Sequence, residues 1–271
     1  MFYEVGPKSL EAQNVTHLSL EQKLANLREF VLSANFPMAR KCHDSITEAE
    51  WTKVNQKAAK GIPEALTAVS MSAELSDYFG EFKRAEDRLR NIREQAEKQL
   101  RSLVDDRSVA IKSLDERRRA KRWTWVVIQQ AMAHYRSAQF DRAMSLLRLC
   151  ESACLKSIQN APHYSCFGTL AKIHYGIALT YRERANYPMA KRYFSSSLEY
   201  AWQSLNEKAG PGATAASFRQ ARWTDVSIAR ALSLGLGFVY HAEGQPGLSL
   251  AFLLAAPNCL ARLGEVLIST S

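Results

Sequence analysis

Apolar side chains recur at every third or fourth position along most of this chain, the period of a helix with one buried face, and the breaks between such stretches divide it into segments. The first segment opens at Ser19-x-x-Gln22, a spacing that lets each side chain bond the other residue's backbone N–H. It continues through Leu20, Leu24, Leu27 and Val31 until Pro37, which is expected to close it. A second opens at Ser45-x-x-Glu48, runs through Trp51, Val54 and Ala58, and stops near Gly61. Pro63 then suits the first turn of the next helix, where its missing N–H would have no intrahelical partner anyway. Residues 1–17 show no such period and read as a loose arm.

From Pro63 to about Ser108 there is no proline after the first residue and only Gly80. Phe82, Ala85, Leu89, Ile92, Ala96, Gln99 or Leu100, and Leu103 step by threes and fours through a background of charged residues. The stepping predicts a coiled-coil-like seam over 82–103. It should bury itself against residues 45–75 folded back, or against a second chain in a homodimer or hetero-complex. The pattern slips at Asp105–Ser108, where a kink or turn is expected. A basic run, Arg117, Arg118, Arg119, Lys121 and Arg122, leads into Trp123 and Trp125, after which the chain becomes more apolar. That shift marks a domain boundary between an N-terminal helical region, 1–122, and a second domain, 123–271.

Within the second domain three stretches, 128–150, 175–197 and 234–256, align without gaps. Each has a small residue in a first helix (Ala131, Ala178, Gly237) and His134, Tyr181 or Tyr240 three positions on. After a short turn a second small residue follows (Ala143, Ala190, Ser249), then a large one four later (Leu147, Phe194, Leu253), then a third small one (Cys150, Ser197, Ala256). Small side chains let two helix backbones approach, and large ones fill the notches beside them. A lone hairpin cannot bury both its faces, so neighbours stack.

This small-large-small pattern resembles the tetratricopeptide repeat (TPR) family over about 124–257. The second-helix small residues Ala143, Ala190 and Ser249 give periods of 47 and 59, so residues 157–165 and 207–217 read as inserted loops. The resemblance implies an all-α fold, a TPR-like α-hairpin solenoid preceded by the long charged helices of 1–122. It also implies a concave inner surface built from each first helix. Carried over by alignment, that surface is Trp125, Ile128, Met132, Tyr135 and Arg136, then Lys172, Tyr175, Leu179 and Arg182, then Leu234, Phe238 and His241. Such a wall suits an extended or helical peptide with acidic groups. The TPR subclass that grips a C-terminal carboxylate uses paired Lys and Asn at positions that here read Ile128, Met132 and Gly176, so that activity is not implied.

Composition narrows the alternatives. The 271 residues carry 36 Lys and Arg against 27 Asp and Glu, a charge of +9. The excess favours acidic partners but is spread out, weaker than a dedicated nucleic-acid face. No apolar run reaches membrane-spanning length, and the first ten residues do not read as a secretory signal. Five cysteines without scaffold spacing point to a reducing compartment, by default the cytoplasm, or the nucleus in a eukaryote. Cys150, Cys154, His163 and Cys166 offer four zinc-ligand types, although Cys150 sits on a small packing position where a buried thiol is the plainer reading. Arg117, Arg118, Arg119, Lys121 and Arg122 beside tryptophans could contact phosphates, against the plainer reading of a solvated helix face. His134, His174 and His241 lack a recognisable nucleophile, and Gly210-Pro211-Gly212 lacks the Lys-Ser/Thr of a phosphate loop. No catalytic constellation and no cofactor are therefore expected. The expected function is a non-enzymatic adaptor or regulatory subunit. The alternatives are a nucleic-acid-associated regulator and a non-catalytic subunit of a larger enzyme or defence complex.

Overall fold

The computed structural model describes residues 17–32, 35–90, 92–105, 114–160, 166–208 and 235–255. Among these the chain is all-α with no strand. The helices are α1 (Leu20–Leu32), α2 (Phe36–Asp44), α3 (Glu48–Ala59), α4 (Pro63–Tyr78), α5 (Phe82–Leu89), α6 (Arg93–Asp105), α7 (Leu114–Arg136), α8 (Phe140–Asn160), α9 (Phe167–Glu183), α10 (Tyr187–Lys208) and α11 (Phe238–Ala242), followed by α12 over 246–255. None of the described helices is long and apolar enough to cross a membrane.

Local chemistry accounts for most boundaries. Ser19 and Gln22 exchange the expected bonds, at 3.0 and 3.3 Å. Pro37 does not close the first segment. It occupies the first turn of α2, which Asn35 caps by accepting from the Met38 N–H. The second box is shifted two residues, with Thr47 as cap and Glu50 answering it, because Thr47 is the residue in extended conformation there.

The 82–103 seam is broken between α5 and α6, and it is spent within this chain. Ala85, Leu89, Ile92, Ala96 and Leu100 are buried in the chain's own core, with Leu103 half-buried beside them. These buried residues present no apolar stripe to a second chain. Leu100 rather than Gln99 faces inward. The proposed boundary at 122/123 falls inside α7, and one continuous core runs from Leu27 in α1 to Ile177 in α9.

The three aligned stretches share one turn. Ala138, Ala185 and Gly244 have positive φ of 58°, 56° and 71°. In each case the next residue's N–H reaches back five positions to a helix carbonyl, Gln139 to His134 at 2.9 Å, Asn186 to Tyr181 at 3.0 Å and Gln245 to Tyr240 at 2.9 Å. This left-handed C-cap ends the first helix and starts the second. The same turn recurs earlier: Gly80 has φ 76° and the Glu81 N–H bonds the Ser76 carbonyl at 2.7 Å. Ala73, Ala85 and Leu89 stand at the offsets of Ala131, Ala143 and Leu147, with Ile92 where the third small residue would be, so α4 and α5 form a hairpin with the same turn and part of the same packing pattern. Sequence alignment passed over it because its second helix read as a coiled-coil seam. Gly61, between α3 and α4, has the turn (φ 77°) but not the packing pattern, since Val54 and Leu66 stand where the small residues would be.

The three aligned hairpins are keyed to one another by a large side chain against a glycine. Leu147, wholly buried on α8, abuts Gly176 of α9, where an added Cβ would lie 3.1 and 3.2 Å from its methyls. Phe194, wholly buried on α10, abuts Gly235 just before α11, where a Cβ would lie 2.6 Å from two ring carbons. Side-chain bonds across each hairpin repeat as well: the Cys150 thiol donates to the Thr124 carbonyl (3.7 Å), and Ser197 Oγ donates to the equivalent Ala171 carbonyl (2.7 Å).

Candidate functional site

The hairpin geometry sets α7, α9 and α11 in succession, and several side chains assigned to the inner surface meet there. At one end Lys172 Nζ lies 4.6 Å from the centre of the Trp125 ring and is ion-paired with Glu74 of α4. At the other, Tyr135 donates its hydroxyl hydrogen to Glu183 (3.0 Å), while Arg182 donates to Glu183 (2.6 Å) and to the Tyr135 oxygen (3.3 Å). The Arg182 guanidinium also covers the Phe238 ring at 4.8 Å, so one residue from each of three successive first helices stands in a row. Between the ends, Tyr175 tilts against Phe194 with ring centres 5.8 Å apart, and Met132 borders the Gly176 notch. Arg136 is half-buried; Phe238 and His241 are exposed.

Two assigned residues do not belong to this surface. Ile128 and Leu179 are buried core residues, because their turns of α7 and α9 face neighbouring helices. Leu234 lies outside the described residues. Glu74, in contrast, went unrecognised. It stands one position past the small residue Ala73, the register of Met132, Leu179 and Phe238, and, buried like Leu179, it supplies the carboxylate that Lys172 meets.

Two cations of this surface, Lys172 and Arg182, are paired within the chain. Burial alone would raise the Glu183 carboxyl, but hydrogen bonds from Arg182 and Tyr135 hold it below its ordinary value. Burial alone would lower Arg182, and the bond to Glu183 with the nearby Tyr135 oxygen turns the net shift upward. Tyr135 is pushed up to about 12, first by burial and then by Glu183, with Arg182 opposing. Lys172 and Arg182 thus each have a carboxylate of this chain beside them, and an acidic visitor gains less from these two than the sequence suggested.

Other candidates resolve into packing. His174 is buried with Nε2 2.9 Å from Glu151 Oε1, and Tyr193 and Tyr200 meet its ring edge-on at 5.2 and 4.9 Å. His134 contacts the Gln139 side chain at 2.7 Å. Cys150, Cys154 and Cys166 are buried free thiols; burial raises Cys150, and a hydrogen bond with Cys166 together with burial raises Cys154 well above the usual thiol range. His163 lies outside the described residues, among which no group of three or more His, Cys, Asp or Glu could hold a metal. Arg117, Arg118 and Arg119 fall on the first turns of α7 but their side chains are not described; Lys121 and Arg122 are half-buried. One arrangement has no sequence signal. His43 Nε2 lies 2.7 Å from Ser72 Oγ and Nδ1 3.0 Å from Asp44 Oδ1, the order of a nucleophile, base and orienting acid. Ser72 and His43 are 0% and 1% exposed, so in this conformation no substrate reaches the serine.

No protein-family model matches the chain, and no curated protein matches it. Among solved structures it is similar to the crystal structure of BtubC (BKLC) from P. vanneervenii, at 17% identity and a TM-score of 0.34, over 91% of this chain and 93% of that one. A likeness at that score does not define a shared fold.

Proposed function

We propose that this chain is a non-enzymatic protein-interaction module of the TPR-like kind, an adaptor or regulatory subunit that holds a peptide or partner helix against the row of first helices. The observation that carries the reading is the run Tyr135–Arg182–Phe238, one side chain from each of three hairpins sharing one turn geometry. A preformed row lowers the ordering cost of an extended visitor. The exposed Phe238 ring and the half-buried Trp125, Met132, Tyr135 and Tyr175, beside the paired Lys172 and Arg182, suit a partner recognised mainly by apolar and hydrogen-bonding contacts. The buried free thiols are compatible with the cytoplasm.

A photo-crosslinking amino acid at position 238 tests this in cells, with a second at Arg101, exposed on α6, as control. The expected result is a discrete protein adduct at 238, absent at 101, lost when Tyr175→Ala and Arg182→Ala are combined, and stable as salt rises. Equal adducts at both positions overturn the reading. Adducts with nucleic acid that vanish steeply with salt favour instead a regulator using Arg117–Arg122.

A further inference from the structure

Three hydrogen-bond donors converge on one atom at the end of the row. Glu183 Oε1 accepts from the Tyr135 hydroxyl at 3.0 Å and from Arg182 Nε and Nη2 at 3.1 and 2.6 Å. Tyr135 and Arg182 hold the same register in successive first helices, four positions past Ala131 and Ala178. Neither depends on Glu183 to stay in place. The Arg182 guanidinium is braced over the Phe238 ring of α11 (4.8 Å) and against the Tyr135 oxygen of α7 (3.3 Å). Glu183 itself is not placed by its helix. Consecutive residues on a helix do not face each other, and a carboxylate in the last turn of α9 opposes the helix dipole. Nor does the repeat call for an acid there, since the equivalent position holds Tyr78, Arg136 and Ala242 in the other hairpins. The Glu183 side chain is 38% exposed against 8% for Glu74, the carboxylate beside Lys172, so Glu183 has room to swing out and Glu74 does not.

We infer that Tyr135 and Arg182 form a carboxylate-binding site and that Glu183, its occupant from this chain, is a specificity-determining residue: it fills the place of an acidic side chain on a visiting peptide and turns the row towards partners without one. The inference rests on reading the row as the surface that faces a partner. With Glu183 seated, a visitor's carboxylate exchanges one set of charge-assisted hydrogen bonds for an equivalent set and gains nothing. With Glu183 removed, the same donors lack their acceptor, and a visiting carboxylate supplies it.

Fluorescence anisotropy of the full chain with fluorescein-labelled deca-glutamate tests the assignment, with deca-glutamine as the neutral probe. Glu199→Ala, which removes an exposed acid on α10 and so matches the change in net charge, binds deca-glutamate as the wild type does. Glu183→Ala binds it about tenfold more tightly, the worth of one hydrogen bond to a charged group, and binds deca-glutamine no better. Glu183→Gln, closer in shape to the wild type, gains in the same direction. Adding Tyr135→Phe and Arg182→Met to Glu183→Ala removes the gain. Equal affinity in Glu183→Ala and Glu199→Ala overturns the inference, as does a gain that survives loss of both donors. The crosslink at position 238 reads the partner surface separately. A partner captured there without any gain for deca-glutamate overturns the carboxylate site alone; a gain with nothing captured supports the site and overturns the partner reading.

Discussion

The contact between Phe194 and Gly235 gives the sharpest test of how the hairpins are held together. A Cβ at position 235 would lie 2.6 Å from Phe194 Cδ1 and Cε1 and 2.9 Å from Cγ. Ordinary carbon contacts begin near 3.5 Å, so ring and backbone must part by about 1 Å. The ring is wholly buried, so it cannot swing out into solvent. Overpacking of this kind costs about 1–3 kcal/mol. Replacing a helical glycine by alanine returns up to about 1 kcal/mol through reduced chain entropy, leaving Gly235→Ala a net loss of roughly 1–2 kcal/mol. Urea unfolding followed by circular dichroism reads this as a midpoint lowered by about 0.5–1 M, given a slope of ~2 kcal/mol per molar. Gly176→Ala should cost less, under about 1 kcal/mol, since it meets methyl tips of Leu147 and the Met132 sulfur at 3.1–3.2 Å, all able to yield. Phe194→Leu should erase most of the Gly235→Ala penalty when the two are combined. If Gly235→Ala is neutral, or costs as much in the Phe194→Leu background as in the wild type, close helix approach is not what seats one hairpin on the next.

Other consequences follow from single sites. Ala138→Gly and Ala185→Gly relieve positive-φ strain and should each stabilise by about 1 kcal/mol in the same assay, while Gly244→Ala destabilises by a similar amount. Glu74→Gln leaves Lys172 without its carboxylate and should cost about 2 kcal/mol, with Lys172→Met in the same chain recovering most of it. His43 is held below its ordinary value mainly by burial, with Asp44 opposing, so its neutral form is the folded one. Its contribution is present above the unfolded value near 6.5 and is lost as pH falls from there through the lower folded value. The drop in urea midpoint from about pH 7.5 to about pH 5 should therefore shrink in His43→Gln, and an unchanged drop would assign the dependence elsewhere. A fluorophosphonate probe should leave Ser72 unmodified; labelling that Ser72→Ala abolishes would reveal an opened state of the Ser72–His43–Asp44 arrangement.

Helical period, capping residues and spaced small side chains are local properties. They determined the all-α class, the Ser19–Gln22 box, the place of Pro63 and the three hairpins aligned on Ala131, Ala178 and Gly237. What they could not determine was which apolar stripe meets which. The stripe of Ala85, Leu89, Ile92, Ala96 and Leu100 reads the same whether its partner is a second chain or α4, α7 and α8 of its own, and tertiary packing chose the latter. The same packing buried Ile128 and Leu179, brought Glu74 from 98 residues away to Lys172, and gave α4 and α5 the turn of the aligned hairpins. Periodicity records that a face must be buried; only the arrangement of all the helices together decides against what.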